Sequence, residues 1–460
     1  METERKAVPH QLRSLPSIDE LLRLLSTHST ALEAGPVRIA EFARQAVDSI
    51  RREILAGTFT NDDVAGEAVS RVHDQWHRSQ LARIKRVINA TGVIVHTNLG
   101  RAPLSEAART AISEASGYCT VEYDLEAGGR GHRGEYVEEL VTRVTGAEAA
   151  IVVNNCAAAA FLVLTVFAAS GEVIISRGEL VEIGGDFRVP DVLKASGAVL
   201  CEVGTTNRTK ITDYEKACSE NTRMILRVHP SNYRIVGFTA SPSIASLAEL
   251  AEKKALVLFE DIGSGALLGL GDEPVPAKSL ADGAHIVAFS GDKLLGGPQS
   301  GIIAGRRDLI EAIRMHPLYR VLRVGKLIYA GLGATLESFA RGTAESEIPV
   351  LKMIGQSSDQ IELRASKFVD TVRSTGCKIQ LKIIGGNSVI GGGSAPDIHP
   401  VTALITLDHP EMSADAIERA LRRSSTPIIT RIEDDKVLID LRTVTVGDEE
   451  LLLRAIADIG

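Results

Sequence analysis

The sequence contains no Cys-x-x-Cys pair. Its five cysteines (Cys119, Cys156, Cys201, Cys218 and Cys377) are scattered, so neither a zinc site nor a disulfide framework is suggested, and no metal is expected. They read as small buried apolar residues. No apolar run is long enough to span a bilayer. The longest, Cys156 to Ala169, is broken by Thr165 and preceded by Asn154 and Asn155, short of the roughly 20 residues a span requires. The opening residues, Met1 to Lys6, carry mixed charge with no apolar block behind them, which argues against a secretory signal and makes the cytoplasm the expected location. A Gly-x4-Gly-Lys-Ser/Thr string and a His-Glu-x-x-His string are both missing, so nucleotide hydrolysis and zinc proteolysis have no support. There is no internal repeat and no low-complexity tract.

Positive charge is also scarce. The net charge is -8, which speaks against a generally basic nucleic-acid binder. Residues 1 to 86 hold 13 Lys and Arg against 12 Asp and Glu, out of 51 and 59 in the whole chain, leaving 38 against 47 for the rest. Any RNA contact must therefore be local. The cluster Arg78, Arg83, Lys85 and Arg86 near Trp76 is the best candidate, although a basic last turn also complements a helix dipole.

What is present begins with helices. Ser17-Ile-Asp-Glu20 predicts a capping box; one helical pattern then runs from Pro36 to about Ala56, stopping at Gly57, and another from Asn61 or Asp62 to about Ile88. This predicts a helical module over residues 1–88. Beyond Ala147 the pattern changes to short β-branched runs, Ala149–Val153, Val173–Ser176, Ala198–Val203, Met224–Val228, Leu256–Glu260 and His285–Phe289, separated by amphipathic or Gly-rich segments. That alternation predicts an α/β domain with a mostly parallel sheet, residues 89–345. A long helix from Val350 to about Val372 then leads into a smaller α+β domain, residues 346–460. Its expected strands are Lys378–Ile384, Val401–Leu407, Pro427–Ile432 and Val437–Leu441, with helices near Ser413–Arg423 and Asp448–Ile459.

The chemistry concentrates in three places. In Ala288 to Ile302 (AFSGDKLLGGPQSGI) a lysine, Lys293, follows an apolar strand and is bracketed by small residues. Lysines are usually exposed, but here Ser290 can donate to a phosphate, while Gly291, Gly296 and Gly297 allow backbone to approach a flat ligand. Desolvating such an amine favours its nucleophilic, Schiff-base-forming state. Second, the apolar run Ala255–Phe259 leads to Asp261, a carboxylate at a strand's C-terminal end facing the usual α/β ligand crevice. A pyridoxal ring needs such a carboxylate to keep its pyridine nitrogen protonated. A dinucleotide fingerprint through Gly263, Gly265 and Gly269 has the wrong spacing. Third, Asn154 to Ala159 joins an apolar strand to an apolar helix and offers free amides to a phosphate, although an Ala-rich helix start is also ordinary core.

Taken with the strings Leu15–Asp19 (LPSID), Arg86–Arg101 (RVINATGVIVHTNLGR), Glu202–Asn207 (EVGTTN), Ser231–Phe238 (SNYRIVGF), Phe289–Gln299 and Gly391–Ser394 (GGGS), the chain resembles the bacterial selenocysteine synthase family, the L-seryl-tRNA(Sec) selenium transferases, over nearly its whole length. The resemblance implies a fold-type I pyridoxal-phosphate enzyme. Lys293 would be the Schiff-base lysine, Asp261 the pyridine partner, and Ser290, Cys156 and Ala157 part of the phosphate cradle. It further implies that Lys293 takes the seryl α-proton, that loss of water leaves a dehydroalanyl intermediate, and that selenophosphate then donates selenium. For that anionic donor the candidate cations are Arg101, Arg320 and Arg323, the last two on one face if helical. Arg130 and Arg133 form a second basic loop that either closes over the site or crosses a subunit interface. The family also implies an N-terminal module that holds the tRNA, where Trp76 and Arg78 permit stacking and phosphate contact, and a homo-oligomeric ring of dimers, a homodecamer. The alternatives are a pyridoxal-phosphate lyase acting on a small amino acid or amino sugar acid without tRNA, and a non-catalytic RNA-binding scaffold, against which an intact Lys293 and Asp261 argue.

Overall fold

The structure is a computed structural model and describes residues 10–26, 28–183 and 187–459. The chain forms two compact units, divided between Arg86 and Val87. The first is helical. Helix α1 (Pro36–Ala56) starts on a proline and ends at Gly57, whose left-handed φ of 71° closes the last turn. Helix α2 (Val64–Leu81) is capped by Asp63, which accepts from the Gly66 amide. Upstream, Ser17 accepts from the Glu20 amide at 3.2 Å, so half of the expected capping box is formed. Leu21, Leu25, Phe42, Ile50, Val72 and Trp76 share one core. The second long helix stops at Leu81, short of the expected Ile88. Ile88–Asn89 is instead a strand paired in parallel with Ile428–Ile429. Ile88 therefore finds its apolar partners in the second unit, a tertiary preference that a helical pattern cannot reveal.

The second unit is built on a seven-stranded sheet: β1 (Ala149–Val153), β2 (Glu172–Ser176), β3 (Val199–Val203), β4 (Thr222–Val228), β5 (Val257–Gly263), β6 (Ile286–Ser290) and β7 (Gly301–Gly305). The order is β1-β7-β6-β5-β4-β2-β3. Only β7 runs antiparallel to its neighbours. All six expected strands are present. Strand β7, flanked by glycines and only five residues long, is an addition. The sheet is buried on both sides. Ile151, Val153 and Ala288 face one core and Ala150, Val152 and Phe289 the other, which is why these strands read as continuous apolar runs. Helix α3 (Cys156–Ala168) is apolar around most of its circumference and packs into the first of these cores.

The C-terminal lobe carries an antiparallel sheet of β8 (Gln380–Asn387), β9 (Val401–Asp408), β10 (Arg431–Glu433) and β11 (Lys436–Asp440), ordered β8-β9-β11-β10. The helix expected over 350–372 is two, Pro349–Gly355 and Ser358–Ser374, separated where Ser357 and Gln360 form a reciprocal capping box. Residues 88–95 also belong to this lobe by hydrogen bonding: the amides of Ala90 and Asp440 bond the carbonyls of Ile429 and Ala90, and Val95 bonds Ile390. No helix among the described residues is long and apolar enough to cross a membrane.

Candidate active site

The C-terminal ends of the parallel strands gather the chemistry, because each strand delivers the residue at its end to the same edge. Asp261 lies on β5 in register with Ala288 of β6 and Val228 of β4. Lys293 follows β6 by three residues and is 5% exposed. Burial pushes the Asp261 carboxyl up to about 6, and the Cys156 thiol, Lys293 and His229 oppose that rise. The Cys156 Sγ donates to Asp261 Oδ1 at 3.3 Å, and burial and the Asp261 charge raise the thiol's own pKa. A cysteine that the family resemblance assigns to a phosphate cradle thus turns its side chain to the carboxylate.

Its backbone remains at the start of α3, where Asn155 caps the helix by accepting from the Ala158 amide at 2.8 Å. The Cys156 and Ala157 amides are left at the helix N-terminus, a position suited to a phosphate. Gly301 makes this packing possible: a Cβ there would sit 2.1 Å from the Asn155 carbonyl oxygen. Ser290 is buried at the end of β6. The glycines on either side of Lys293 do not line a ligand face as expected. A Cβ at Gly291 would strike Ser300, and one at Gly296 would strike Ile348, so these positions fold the lysine loop onto the protein.

Arg101 stands beside the lysine through Asp292. Its Nη1 is 2.7 Å from Asp292 Oδ2, and the Ala102 amide bonds the Asp292 carbonyl. Arg101 holds a left-handed φ of 66°, a conformation that costs about 1–3 kcal/mol in a non-glycine residue and persists where surrounding contacts impose it. Arg320 and Arg323 do not share a helix face. The helix Pro317–Leu322 ends before Arg323, which is extended (φ -64°, ψ 144°) and bridges Val153 at the end of β1. Arg320 is exposed. Arg323 approaches Glu122 at 3.9 Å, the same carboxylate that pairs with Arg133 (2.7 Å) and Arg130 (3.3 Å). Arg133 also bonds the Val324 carbonyl and is half-buried, whereas Arg130 is exposed. Three guanidiniums on one carboxylate leave a local positive excess, and the Arg133 hydrogen bond, its charge and those of Arg130 and Arg323 hold Glu122 below the usual carboxylate range.

In the helical unit Trp76 is only 8% exposed and packs in the core, between the guanidiniums of Arg38 and Arg83 at 5.7 and 5.8 Å from its ring. It is therefore not a stacking surface for RNA, because both its apolar body and its face are occupied. Arg78 bonds the Asp74 carbonyl.

Some site residues escaped the sequence. His229, one residue past β4, has its Nε2 3.5 Å from Glu273 Oε1, and the Ala395 amide donates to the same oxygen at 2.5 Å. Burial would raise Glu273, but His229 and the Ala395 amide help bring it below its ordinary value. The available signal for His229 was its position at the end of an apolar run, the same signal that marked Asp261. Asp292 adjoins Lys293 in sequence, yet only the fold shows Arg101 reaching it.

A buried amine, a buried carboxylate on the adjacent strand and an open helix N-terminus along one sheet edge fit an aromatic aldehyde carrying a phosphate. They define a pyridoxal-phosphate enzyme of fold type I. Among solved structures, that of D-glucosaminate-6-phosphate ammonia-lyase shares the fold at 23% identity and a TM-score of 0.57, covering 83% of this chain and 97% of that one. The particular family follows from the sequence relationship. The L-seryl-tRNA selenium transferase profile matches residues 87–445, and the chain belongs to that family. Proteins named L-seryl-tRNA(Sec) selenium transferase are 44% identical in Desulfovibrio desulfuricans (97% of each chain), 43% in Moorella thermoacetica (97% of this chain, 96% of that one) and 42% in Geobacter sulfurreducens (96% of each). The cofactor is pyridoxal phosphate. The ammonia-lyase likeness, at its low identity, speaks for the fold alone, so the lyase alternative is not favoured.

Proposed function

We propose that the protein converts seryl-tRNA(Sec) to selenocysteinyl-tRNA(Sec), with selenophosphate as donor. In balance, the seryl β-hydroxyl leaves as water with the α-proton; selenium from the donor then bonds the β-carbon while the α-carbon takes up a proton, and water adds to phosphorus as the selenium–phosphorus bond breaks, so that phosphate departs. The observation that carries this reading is the buried Lys293 beside Asp261 in a chain related end to end to proteins of that name. When bound, pyridoxal phosphate supplies an electron sink that stabilises negative charge at the substrate α-carbon. Lys293 Nζ takes the α-proton as the hydroxyl is lost and delivers a proton to the α-carbon once selenium has added, and its burial keeps bulk water from competing. Asp261 would partner the pyridine nitrogen, and the Cys156 thiol, bonded to its Oδ1 at 3.3 Å, would help hold the carboxylate in place. The Cys156 and Ala157 amides and the Ser290 hydroxyl hold the phosphate. Arg101, anchored on Asp292, and Arg320 and Arg323 meet the anionic donor, for which planar guanidiniums suit oxyanion geometry.

The helical unit is assigned to tRNA through its exposed residues rather than Trp76. The protein is placed in the cytoplasm as a homo-oligomeric ring of dimers, a homodecamer. Large side chains left bare on the single chain, among them Tyr118, Leu125, Val236 and Phe238, support self-association.

The test is to incubate the protein with seryl-tRNA(Sec), pyridoxal phosphate and labelled selenophosphate, beside Lys293→Ala. Label should move to the tRNA with the wild type and fall by at least about 10²–10⁴-fold in the variant, the range of a lost general base. Equal labelling by both proteins, or labelling by neither, would overturn the assignment.

A further inference from the structure

A cavity of about 390 Å³ opens beside the site, on the β2 side of Asp261. Its floor is the C-terminal edge of the sheet: Ser176 ends β2, and Arg227 and His229 lie at the end of β4, the strand next to β5. Its walls come from three of the strings that set this chain apart or their immediate neighbours. Thr206 and Asn207 lie in one, Tyr233 and Arg234 in another, and Ala395 to Asp397 directly follow Gly391–Ser394. Of these residues only His229, through its charge on Asp261, enters the chemistry described so far. The cavity falls in the size range of small-molecule sites, roughly 300–1,000 Å³, and exceeds what a serine needs.

Its polar groups are arranged for a ligand. The Glu273 side chain is 2% exposed; Oε1 is bonded by Ala395 and approached by His229, whereas Oε2 meets no close donor among the described residues, the buried Ser264 hydroxyl being near enough to help lower the carboxyl's pKa. A buried acceptor with no donor is costly unless something supplies one. At the mouth, the Tyr233 hydroxyl donates to the Gly178 carbonyl, which fixes the ring in place. Arg234 joins Asp397 (2.6 Å) and Asp272 (3.3 Å) across the opening. A flat aromatic face pinned at the rim and a carboxylate oxygen in the wall that has no close donor suit a base stacked over a sugar hydroxyl.

We propose that this cavity takes the terminal nucleoside of the aminoacylated RNA, with the base on Tyr233 and a ribose hydroxyl donating to Glu273 Oε2. This rests on the seryl-tRNA reading. There the amino acid is esterified to the 3′-terminal adenosine, and a seryl group at Lys293 must leave its sugar and base in a space adjoining Asp261. Because every tRNA ends in the same adenosine, the cavity contributes affinity and placement rather than choice among tRNAs.

The probe is the seryl amide of 3′-amino-3′-deoxyadenosine, a stable analogue of seryl-adenosine, compared with serinamide. Dissociation constants are measured by calorimetry on the cofactor-loaded protein. The nucleoside analogue should bind roughly 5- to 150-fold tighter than serinamide, the contribution of one base–aromatic stack. Tyr233→Ala should remove most of that ratio, and Tyr233→Phe, which keeps the ring, should restore it. Glu273→Gln should erase the preference for the analogue over its 2′-deoxy form. The cofactor's visible band in each variant reports an intact fold. Equal affinities for analogue and serinamide in the wild type, or a ratio untouched by both Tyr233→Ala and Glu273→Gln, would overturn the proposal. Selenium transfer to full-length seryl-tRNA(Sec) is scored separately, so transfer without a nucleoside advantage sinks the cavity alone, and the advantage without transfer sinks the reaction alone.

Discussion

At the scale of single residues, Asp261 shows how burial sets chemistry. Its carboxyl is pushed up to about 6 from an ordinary 3.8, so the cofactor-free fold favours the neutral form. The sign follows: this contribution to stability is complete below about pH 4 and is lost as pH rises through about 6. Asparagine cannot ionise and so does not incur that loss. Cofactor-free Asp261→Asn should therefore match the wild type near pH 4 and exceed it at pH 7 by on the order of 2–3 kcal/mol, at 1.36 kcal/mol per pKa unit. Urea denaturation at the two pH values reads the difference, and a gap that does not widen with pH would show that the carboxylate is not desolvated. In the loaded enzyme the proposed pairing of Asp261 with the pyridine nitrogen predicts the reverse order. Asp261 and Lys293 were both legible in the sequence as polar residues set just past apolar runs. The partners that tune them were not: Cys156 precedes Asp261 by 105 positions and Arg101 precedes Asp292 by 191, and no local pattern records such contacts.

At the scale of elements, the start of α3 is the part most sensitive to small changes. Removing the cap with Asn155→Ala should cost about 1 kcal/mol, the usual value for a lost N-cap, and leave the Cys156 and Ala157 amides available. Gly301→Ala is a different perturbation. Its methyl would meet the Asn155 carbonyl, a backbone atom that cannot rotate away, so the helix start must shift. That should cost roughly 1–3 kcal/mol of overpacking and also weaken pyridoxal phosphate binding by about tenfold, as 1.4 kcal/mol lost from the binding site would. Thermal melts with and without the cofactor separate the two. A Gly301→Ala protein that binds the cofactor normally would mean that the phosphate is not held at this helix. Element type was well predicted where apolar period and length agreed, as in α1 and the six strands. The exceptions have physical causes. The helix over 350–372 is interrupted because Ser357 and Gln360 offer the backbone a cap, and β7 was missed because glycines at both ends hide a short run.

For the whole molecule, the division at Arg86–Val87 implies that the second unit folds without the first. A chain beginning at Val87 should keep the cofactor's visible band and a cooperative thermal transition, because Lys293, Asp261 and α3 all lie within it and the first unit has its own core. It should lose most of its affinity for seryl-tRNA(Sec), by at least about tenfold in a gel-shift titration at fixed salt, since phosphate contacts are salt-dependent. Unchanged tRNA affinity would remove the helical unit from recognition.

The sequence alone determined the class of chemistry and the α/β organisation and marked Lys293 and Asp261 as polar residues just past apolar runs, because those depend on residue type and local period, which any window of the chain displays. Only the tertiary structure decided where the basic residues point. It closed Trp76 between two arginines, separated Arg320 from Arg323, drew Arg130, Arg133 and Arg323 to Glu122, and brought Ile88 across to Ile428. It also placed three distant strings around one cavity. Long side chains and non-local pairings take their direction from what is packed against them, and that is fixed only when the whole chain has folded.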